Sequence, residues 1–225
     1  MENVQLNTMT REQKINYYVL KDNNVVIRNG NSKTGKKVAT MSMPASFTCR
    51  KDAPCKAGCY CLKGCQTWPA VIAAYTKNYR LWRENHDNFF NQVSDYLDSH
   101  NFKWFRWFDA GDIPEPCFIE YMVRLANNHP MVRFMSFTKH YEWVNEYLAN
   151  NDGKLPKNLN IVFSNWDKDW SFENPFNLPV SYVNFTDSSK NRDIPQDAKQ
   201  CKNDCSSCFR CWLLKRGQSV EFHQH

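Results

Sequence analysis

Ten cysteines stand in a chain of 225 residues, and nine of them fall into two short runs. The second run, CKNDCSSCFRC, spaces Cys201, Cys205, Cys208 and Cys211 by three, two and two residues. Closely spaced thiolates of this kind are typical of iron–sulfur clusters, because neighbouring cysteines reach several irons of one cube. Structural zinc sites more often use two C-x2-C pairs that a longer loop separates. The spacing therefore favours a [4Fe-4S] cluster, with zinc as the alternative.

The tenth cysteine, Cys117, stands at a predicted helix start, where we expect it to be buried as a small apolar side chain.

The first run, TCRKDAPCKAGCYCLKGC, places five cysteines between residues 48 and 65. Cys49, Cys55 and Cys59 form a C-x5-C-x3-C triad with the spacing of a multidentate ligand. The sequence CKAGCYC is one residue short of the C-x3-C-x-aromatic-C motif with which radical S-adenosylmethionine enzymes hold three irons and leave the fourth open. Either Cys49 supplies the third thiolate, or Cys61 does so and the loop follows a different path. The sequence does not decide between these roles for Cys61, and it does not decide the role of Cys65.

Composition limits the kind of protein that this chain forms. With 42% hydrophobic residues, 225 residues are enough for one domain with a core of its own. The N-terminal sequence lacks the basic and then apolar pattern of a signal peptide, and no run reaches the about eighteen apolar residues of a membrane span. We therefore expect a cytoplasmic protein, since cysteine clusters in a reducing compartment bind metal more often than they form disulfides. A net charge of +6 with 8 Trp, 10 Tyr and 15 Phe suits nucleic acid as a partner, but the basic residues are scattered and most aromatic residues stand where a core requires them. We expect nucleic acid or a host protein as the partner, and no membrane.

Apolar patterns place the cysteine runs on an α/β framework. Helical spacing follows Thr67 and His86, and the short apolar runs KWFRWF, MVRFMSF, LNIVFSN and VSYVNF alternate with or follow helical segments. Strands that alternate with helices pair in parallel through right-handed crossovers, which predicts an α/β fold. Five or six strands suit a partial (β/α) barrel of the TIM type better than the complete barrel of about 250 residues. We expect one domain: a small N-terminal β-hairpin or extension at 1–37, the partial barrel at 38–190 and a cysteine-rich segment at 191–225.

Polar residues follow several of the predicted strands, at the end where ligands gather in α/β folds. The first cysteine run follows one strand, Asp109-Ala110-Gly111-Asp112 follows the next, and Lys139 follows a third. Gly111 would let the backbone approach a ligand, and Asp112 would accept an ammonium group, much as the Gly-Gly-Glu-like turn of radical S-adenosylmethionine enzymes does. Asp112 is equally suited to capping the following helix, and Lys139 to an exposed position. We predict that Asp109, Gly111, Asp112 and Lys139 line a cofactor pocket.

These motifs together resemble the gene product 88 family of bacteriophage proteins. The resemblance rests on TCRKDAPCKAGCY, PAVIAAYTKNYRLW, FRWFDAGDI, PMVRFMSFTKHYEWV and CSSCFRCW, and it extends over residues 30–215. It implies a phage protein of the host cytoplasm with a cluster-binding barrel distantly similar to radical S-adenosylmethionine enzymes. Cys61 and Cys65 depart from the family pattern. The family's thiol motifs fall on Cys49, Cys55, Cys59, Cys205, Cys208 and Cys211.

Two hypotheses of different class follow. In the first, a [4Fe-4S] cluster performs redox or radical chemistry at the carboxyl ends of the strands, with S-adenosylmethionine as a further cofactor. In the second, a non-catalytic iron–sulfur or zinc protein binds nucleic acid or a host protein. The sequence makes no choice between an enzyme and a binding protein. Both hypotheses use the same predicted metal ligands: Cys49, Cys55, Cys59, Cys201, Cys205, Cys208 and Cys211.

Overall fold

The computed structural model describes residues 6–31 and 34–224, so residues 1–5, 32–33 and 225 of the predicted terminal segments lie outside the described residues. The strands are β1 (Ile27–Arg28), β2 (Val38–Met41), β3 (Trp104–Trp107), β4 (Arg133–Thr138), β5 (Leu159–Ser164), β6 (Val180–Asn184), β7 (Lys199–Gln200) and β8 (Ser219–His223). The helices with both ends in this part are α1 (Arg11–Leu20), α2 (Ala45–Thr48), α3 (Pro69–Glu84), α4 (His86–Ser99), α5 (Phe118–Asn128), α6 (Tyr141–Ala149), α7 (Cys205–Cys208) and α8 (Arg210–Leu213).

All of these strands join one sheet in the order β1-β2-β3-β4-β5-β6-β8-β7. β1 runs antiparallel to β2, and every other neighbouring pair is parallel. One row of the sheet aligns Ala39, Phe105, Phe134 and Leu159 across four parallel strands. The predicted α/β class is confirmed. The sheet is larger than the five or six strands that the sequence predicts, and it ends in two edge strands, β1 and β7.

One face of the sheet carries the main core beneath α3, α4, α5 and α6. Trp82 of α3 is fully buried and meets Phe89, Phe90 and Phe118 edge to face, with ring centroids 6.0, 5.9 and 4.8 Å away. Each such aromatic pair adds about 0.5–1.5 kcal/mol to the stability gained from burial. This layer fixes the helices against the strands. Within the described part of the chain, no helix is both long and apolar enough to cross a membrane.

The other face of the sheet is covered by the C-terminal segment. Side chains alternate along β3, so that Phe105 and Trp107 enter the main core while Trp104 and Arg106 point to the opposite face. A second, smaller apolar cluster forms there between the sheet and the segment that carries the second cysteine run. Its buried members are Val38, Met135, Val162, Cys211, Trp212, Leu214 and Val220.

The N-terminal segment differs from the predicted hairpin. The weak alternation of apolar and polar residues at 16–20 suggests a strand, but these residues belong to α1. Thr10 explains this: its side chain accepts a hydrogen bond from the Gln13 N–H at 3.2 Å, and the Gln13 side chain accepts one from the Thr10 N–H at 2.8 Å. This capping box fixes a helix start. β1 does pair in the antiparallel sense, but its partner is β2.

Candidate functional site

The structure separates eight cysteines into two groups. The rim group lies in the loop after β2, at the carboxyl ends of the parallel strands, and consists of Cys49, Cys55, Cys59 and Cys61. The face group lies on the second face of the sheet and consists of Cys201, Cys205, Cys208 and Cys211. All ten cysteines lie in the described part, and none of them forms a disulfide bond there. Among the described residues, no three His, Cys, Asp or Glu side chains are placed closely enough to hold a metal ion without moving.

The seven predicted metal ligands are therefore divided between two places. Cys49, Cys55 and Cys59 meet at the rim, where Cys61 joins them, and the other four predicted ligands share the face group. Cys65 is exposed in the loop beyond the rim group. Cys117 precedes α5 and is partly buried rather than fully so, with its sulfur 3.9 Å from a carboxylate oxygen of Glu115. The predicted ligands thus form two separate groups of thiols.

The rim loop, residues 47–68, is built from short turns. The end of α2 is followed by 3-10 turns at Pro54–Gly58, Tyr60–Leu62 and Gly64–Thr67, and α3 begins directly afterwards. The Tyr60 hydroxyl donates a hydrogen bond to the backbone carbonyl of Asp109, which follows β3. The loop is thereby fixed to the neighbouring strand end, and its thiols lie beside that end.

Ionisation within the rim group is uneven. Burial, with smaller contributions from Asp112 and the neighbouring thiols, raises the pKa of Cys49 to about 12, against the opposing charge of Lys139. The pKa of Cys59 is lowered, first because the Cys61 thiol donates a hydrogen bond to its sulfur, and then because the backbone N–H groups after it do so. The same hydrogen bond raises the pKa of Cys61. Backbone N–H donors around a thiolate are a feature of sites that hold iron–sulfur clusters.

Asp112 joins the ends of two strands to the loop before Cys49. Its carboxylate is buried and accepts hydrogen bonds from the N–H groups of Ile113 and Lys139, both at 2.8 Å. Its own N–H donates to the Thr48 hydroxyl at 3.0 Å. The predicted helix cap is not present, because α5 begins only at Phe118. Asp112 lies at the predicted rim, but backbone amides already occupy both of its oxygens.

Gly111 and Lys139 also lie at this rim. Gly111 has a φ of +79°, and a Cβ there would lie 2.5 Å from the Met43 carbonyl oxygen and 2.7 Å from the Thr48 hydroxyl. Glycine is thus required at this position because the backbone lies against the segment of the same chain that precedes Cys49. Lys139 donates from Nζ to the Ser164 hydroxyl at 2.8 Å, which links the ends of β4 and β5.

Arg106 lies beside Asp109, Cys205 and Cys211, and it is not among the site residues that the sequence predicts. Its Nη1 lies 3.0 Å from one carboxylate oxygen of Asp109, whose other oxygen accepts a hydrogen bond from Asn31 at 2.6 Å. Burial opposes the guanidinium charge, but Asp109 and the nearby Cys205 and Cys211 hold the pKa of Arg106 above its ordinary value. The buried Arg106 Nε has no hydrogen-bond partner among the described residues. Its signal in the sequence is a charged residue inside the apolar run KWFRWF, which the alternation of a strand places on the face opposite to Phe105 and Trp107.

The face group is assembled by tight turns. α7 ends at Cys208 and α8 begins at Arg210, and Phe209 between them has a φ of 48°, in the left-handed region. Burial and the neighbouring thiols raise the pKa of Cys211 to about 12, while the charge of Arg106 opposes this. The Asn203 N–H donates to the Cys201 sulfur at 3.4 Å. One small cavity is lined by all four thiols of the group: Cys201, Cys205, Cys208 and Cys211.

Two aromatic contacts hold the face group on the sheet. Phe209 stacks on Trp104 with ring centroids 4.3 Å apart and planes 14° from parallel. The Trp212 Nε1–H donates to the backbone carbonyl of Phe105 at 2.8 Å. Because Trp104 and Phe105 both belong to β3, the position of the four thiols is set by the strand that also carries Arg106.

His140 lies between β4 and α6, and its side chain contacts the rim loop. Its Nε2–H donates to the Thr48 carbonyl at 2.9 Å, and its ring stacks on Trp143 at 3.8 Å. Glu142, which forms an H-x-E sequence with it, pairs with Arg50. Both side chains therefore tie α6 to the rim loop.

Comparison with models of protein families matches residues 18–213 of this chain to the family described as Gene product 88. The matched range contains both cysteine groups and every predicted pocket residue. Comparisons with curated proteins and with solved structures give no match.

Proposed function

This chain belongs to the gene product 88 family of bacteriophage proteins, and we propose that it is an iron–sulfur protein of the host cytoplasm. The observation that carries the proposal is the face group, in which four thiols from eleven consecutive residues line one cavity. Four cysteine thiolates are the ordinary ligands of a [4Fe-4S] cluster.

The residues of the face group fit such a cluster. Buried thiols that lie together resist ionisation, as the raised pKa of Cys211 indicates, and a bound cation would remove that cost. Arg106 adds a permanent positive charge beside Cys205 and Cys211. The N–H of Asn203 already points to a sulfur. Zinc would also accept four thiolates, so the metal has to be identified by analysis.

The rim group supports a second cluster of the radical S-adenosylmethionine type, held by Cys49, Cys55 and Cys59. Its loop follows β2, the first parallel strand, and the Asp-Ala-Gly-Asp turn follows β3, the adjacent one. This is the arrangement that a partial barrel of that kind would use. When bound, the cluster would supply single electrons to a cofactor at the rim. Lys139 would place a positive charge near Cys49 and Cys59, and Asp112 would hold the strand ends in position.

A non-catalytic iron–sulfur protein is the second candidate, and one observation favours it. The polar groups that would bind a cofactor are already used within the protein: Asp109 by Arg106, Asp112 by backbone amides and Lys139 by Ser164. The two candidates differ in their response to S-adenosylmethionine.

The proposal is tested by anaerobic purification with iron, sulfide and zinc quantified, and by electron paramagnetic resonance of the reduced protein with and without S-adenosylmethionine. We expect Cys208→Ser and Cys55→Ser each to lose part of the iron and sulfide. Cys117→Ser, which changes a thiol outside both groups, serves as the matched control and should lose none. A colourless protein that contains zinc and no sulfide would overturn the proposal. A cluster signal that does not change with S-adenosylmethionine would leave the non-catalytic candidate.

A further inference from the structure

The rim loop exposes an unusual number of large apolar side chains. Seven such side chains are exposed in the part of the chain that the structure describes, and four of them lie within residues 47–68. Their exposed fractions are 77% for Phe47, 48% for Tyr60, 53% for Leu62 and 63% for Trp68. Three of the four are aromatic. Large apolar side chains that are exposed close together indicate a binding site, whereas single exposed ones are ordinary on a protein surface.

The same loop is basic. It contains four basic residues and one acidic residue, Asp52, in a chain whose net charge is +6. Arg50 is paired with Asp52 at 3.0 Å and with Glu142, so its charge is used within the protein. The remaining basic side chains, Lys51, Lys56 and Lys63, are exposed. The lysines thus lie between the rings along the loop.

We propose that the rim loop binds single-stranded nucleic acid. Exposed rings offer faces on which unpaired bases stack, and lysines between them pair with the phosphates that join those bases. The loop consists of 3-10 turns, so it offers no long helix or strand for the major groove of a duplex. Protein interfaces are depleted of lysine, which favours a polyanion over a protein partner.

Tyr60 is held in place for such stacking. Its hydroxyl is bonded to the backbone carbonyl of Asp109, which holds the ring on the protein, while 48% of the side chain is exposed. A ring held in this way loses little freedom when an unpaired base stacks on it. Tyr60 lies between Cys59 and Cys61, so a base stacked on it would lie next to the rim thiols. A base in that position would make a nucleotide the substrate class, and this conclusion rests on the proposed function. The binding of single-stranded nucleic acid to the rim loop does not rest on it.

The test is fluorescence anisotropy of the full chain with a fluorescein-labelled single-stranded oligothymidylate of about 20 nucleotides. Trp68→Ala should weaken binding at least about fivefold, the loss expected for one stacked base, and Trp68→Phe should retain most of the affinity. Removing the charges of Lys51, Lys56 and Lys63 together, each by substitution with Gln, should reduce the slope of log affinity against log salt by about 2.

A matched control removes three lysines from the opposite edge of the sheet. Lys103, Lys157 and Lys215 are exposed and lie shortly before β3, β5 and β8, at the amino ends of parallel strands. Their joint substitution by Gln changes the net charge equally and should leave the slope unchanged. Equal losses in both triple variants, or wild-type protein that binds anionic lipid vesicles but no oligonucleotide at about 50 mM salt, would overturn the inference.

Metal content is measured in the same samples, which keeps the two proposals apart. Oligonucleotide binding by protein without iron and sulfide would refute the proposed cluster alone. A protein that contains the cluster and does not bind the oligonucleotide would refute the docking surface alone. Circular dichroism melting curves of each variant verify that the fold is retained.

Discussion

The substitution Asp112→Asn tests whether one buried carboxylate holds the rim together. Asp112 is 6% exposed, and its two oxygens accept the N–H groups of Ile113 and Lys139 at 2.8 Å each. These amides belong to the segments after β3 and β4. An asparagine keeps the shape and one acceptor oxygen, but its amide nitrogen is a donor. One of the two backbone N–H groups would therefore face another donor.

The magnitude follows from these contacts. A hydrogen bond to a charged group contributes about 1.5–3 kcal/mol, and leaving a buried donor unsatisfied costs about 1–3 kcal/mol. Because both figures describe the loss of the same hydrogen bond in part, they are not added in full. We expect Asp112→Asn to lower the free energy of unfolding by about 2–4 kcal/mol. For a chain of this length each kcal/mol corresponds to about 2–4 °C. The thermal midpoint should fall by roughly 4–16 °C.

Urea titration and thermal melting of the anaerobic, full-length protein measure this change. Asp95→Asn, an equivalent substitution at an exposed position of α4, is the control and should stay within about 0.5 kcal/mol of wild type. Hydrogen exchange at the Lys139 amide should become faster in the Asp112 variant only. A loss below about 1 kcal/mol with unchanged exchange at this amide would refute the role given to the carboxylate.

Two further predictions concern charged groups. Arg106→Met should lower the free energy of unfolding by about 3–5 kcal/mol because it leaves Asp109 without its cation; adding Asp109→Asn should restore part of this in urea titrations, and strictly additive losses would argue against the pair. Burial, and then the charge of Arg83, hold the pKa of His86 below its ordinary value. The contribution of neutral His86 to the free energy of unfolding is therefore fully present above about pH 6.5, and it is lost as the pH falls towards the lowered pKa. His86→Phe, which keeps the ring stacked 3.6 Å from Trp82, should flatten this decline between about pH 7 and 5, whereas parallel curves would contradict it.

The elements that the sequence predicts well are those with strong local signals. α3 begins at Pro69 and α4 begins after Asn85, whose side chain accepts a hydrogen bond from the Asn88 N–H at 2.9 Å. β3, β4 and β5 are apolar runs flanked by helical periodicity. β8 is not predicted, because it is short, contains Glu221 and His223, and is defined by pairing with β6. α1 is missed although Thr10 and Gln13 carry a capping-box signature.

The candidate site, too, is predictable only in part. Strand order alone predicts that Asp109, Asp112 and Lys139 share an edge with Cys49, since parallel strands end together. The contacts of these side chains are made with residues distant in the sequence, and the sequence pattern does not predict them. The placement of the face group on the opposite side of the sheet, with Arg106 next to it, depends on how the C-terminal segment packs against β3.

The position of the face group has a consequence for the order in which the protein matures on the ribosome. The chain emerges from its N-terminus, so β2, β3 and β4 and the rim thiols are available for folding well before residues 201–223 are made. Until then Trp104 and Phe137 have no C-terminal segment to cover them. Under the proposed function, metal could be loaded at the rim before residues 201–211 are made, whereas the face group could be loaded only after them. The segment 201–223 therefore both covers the second face of the sheet and brings the four thiols of the face group together.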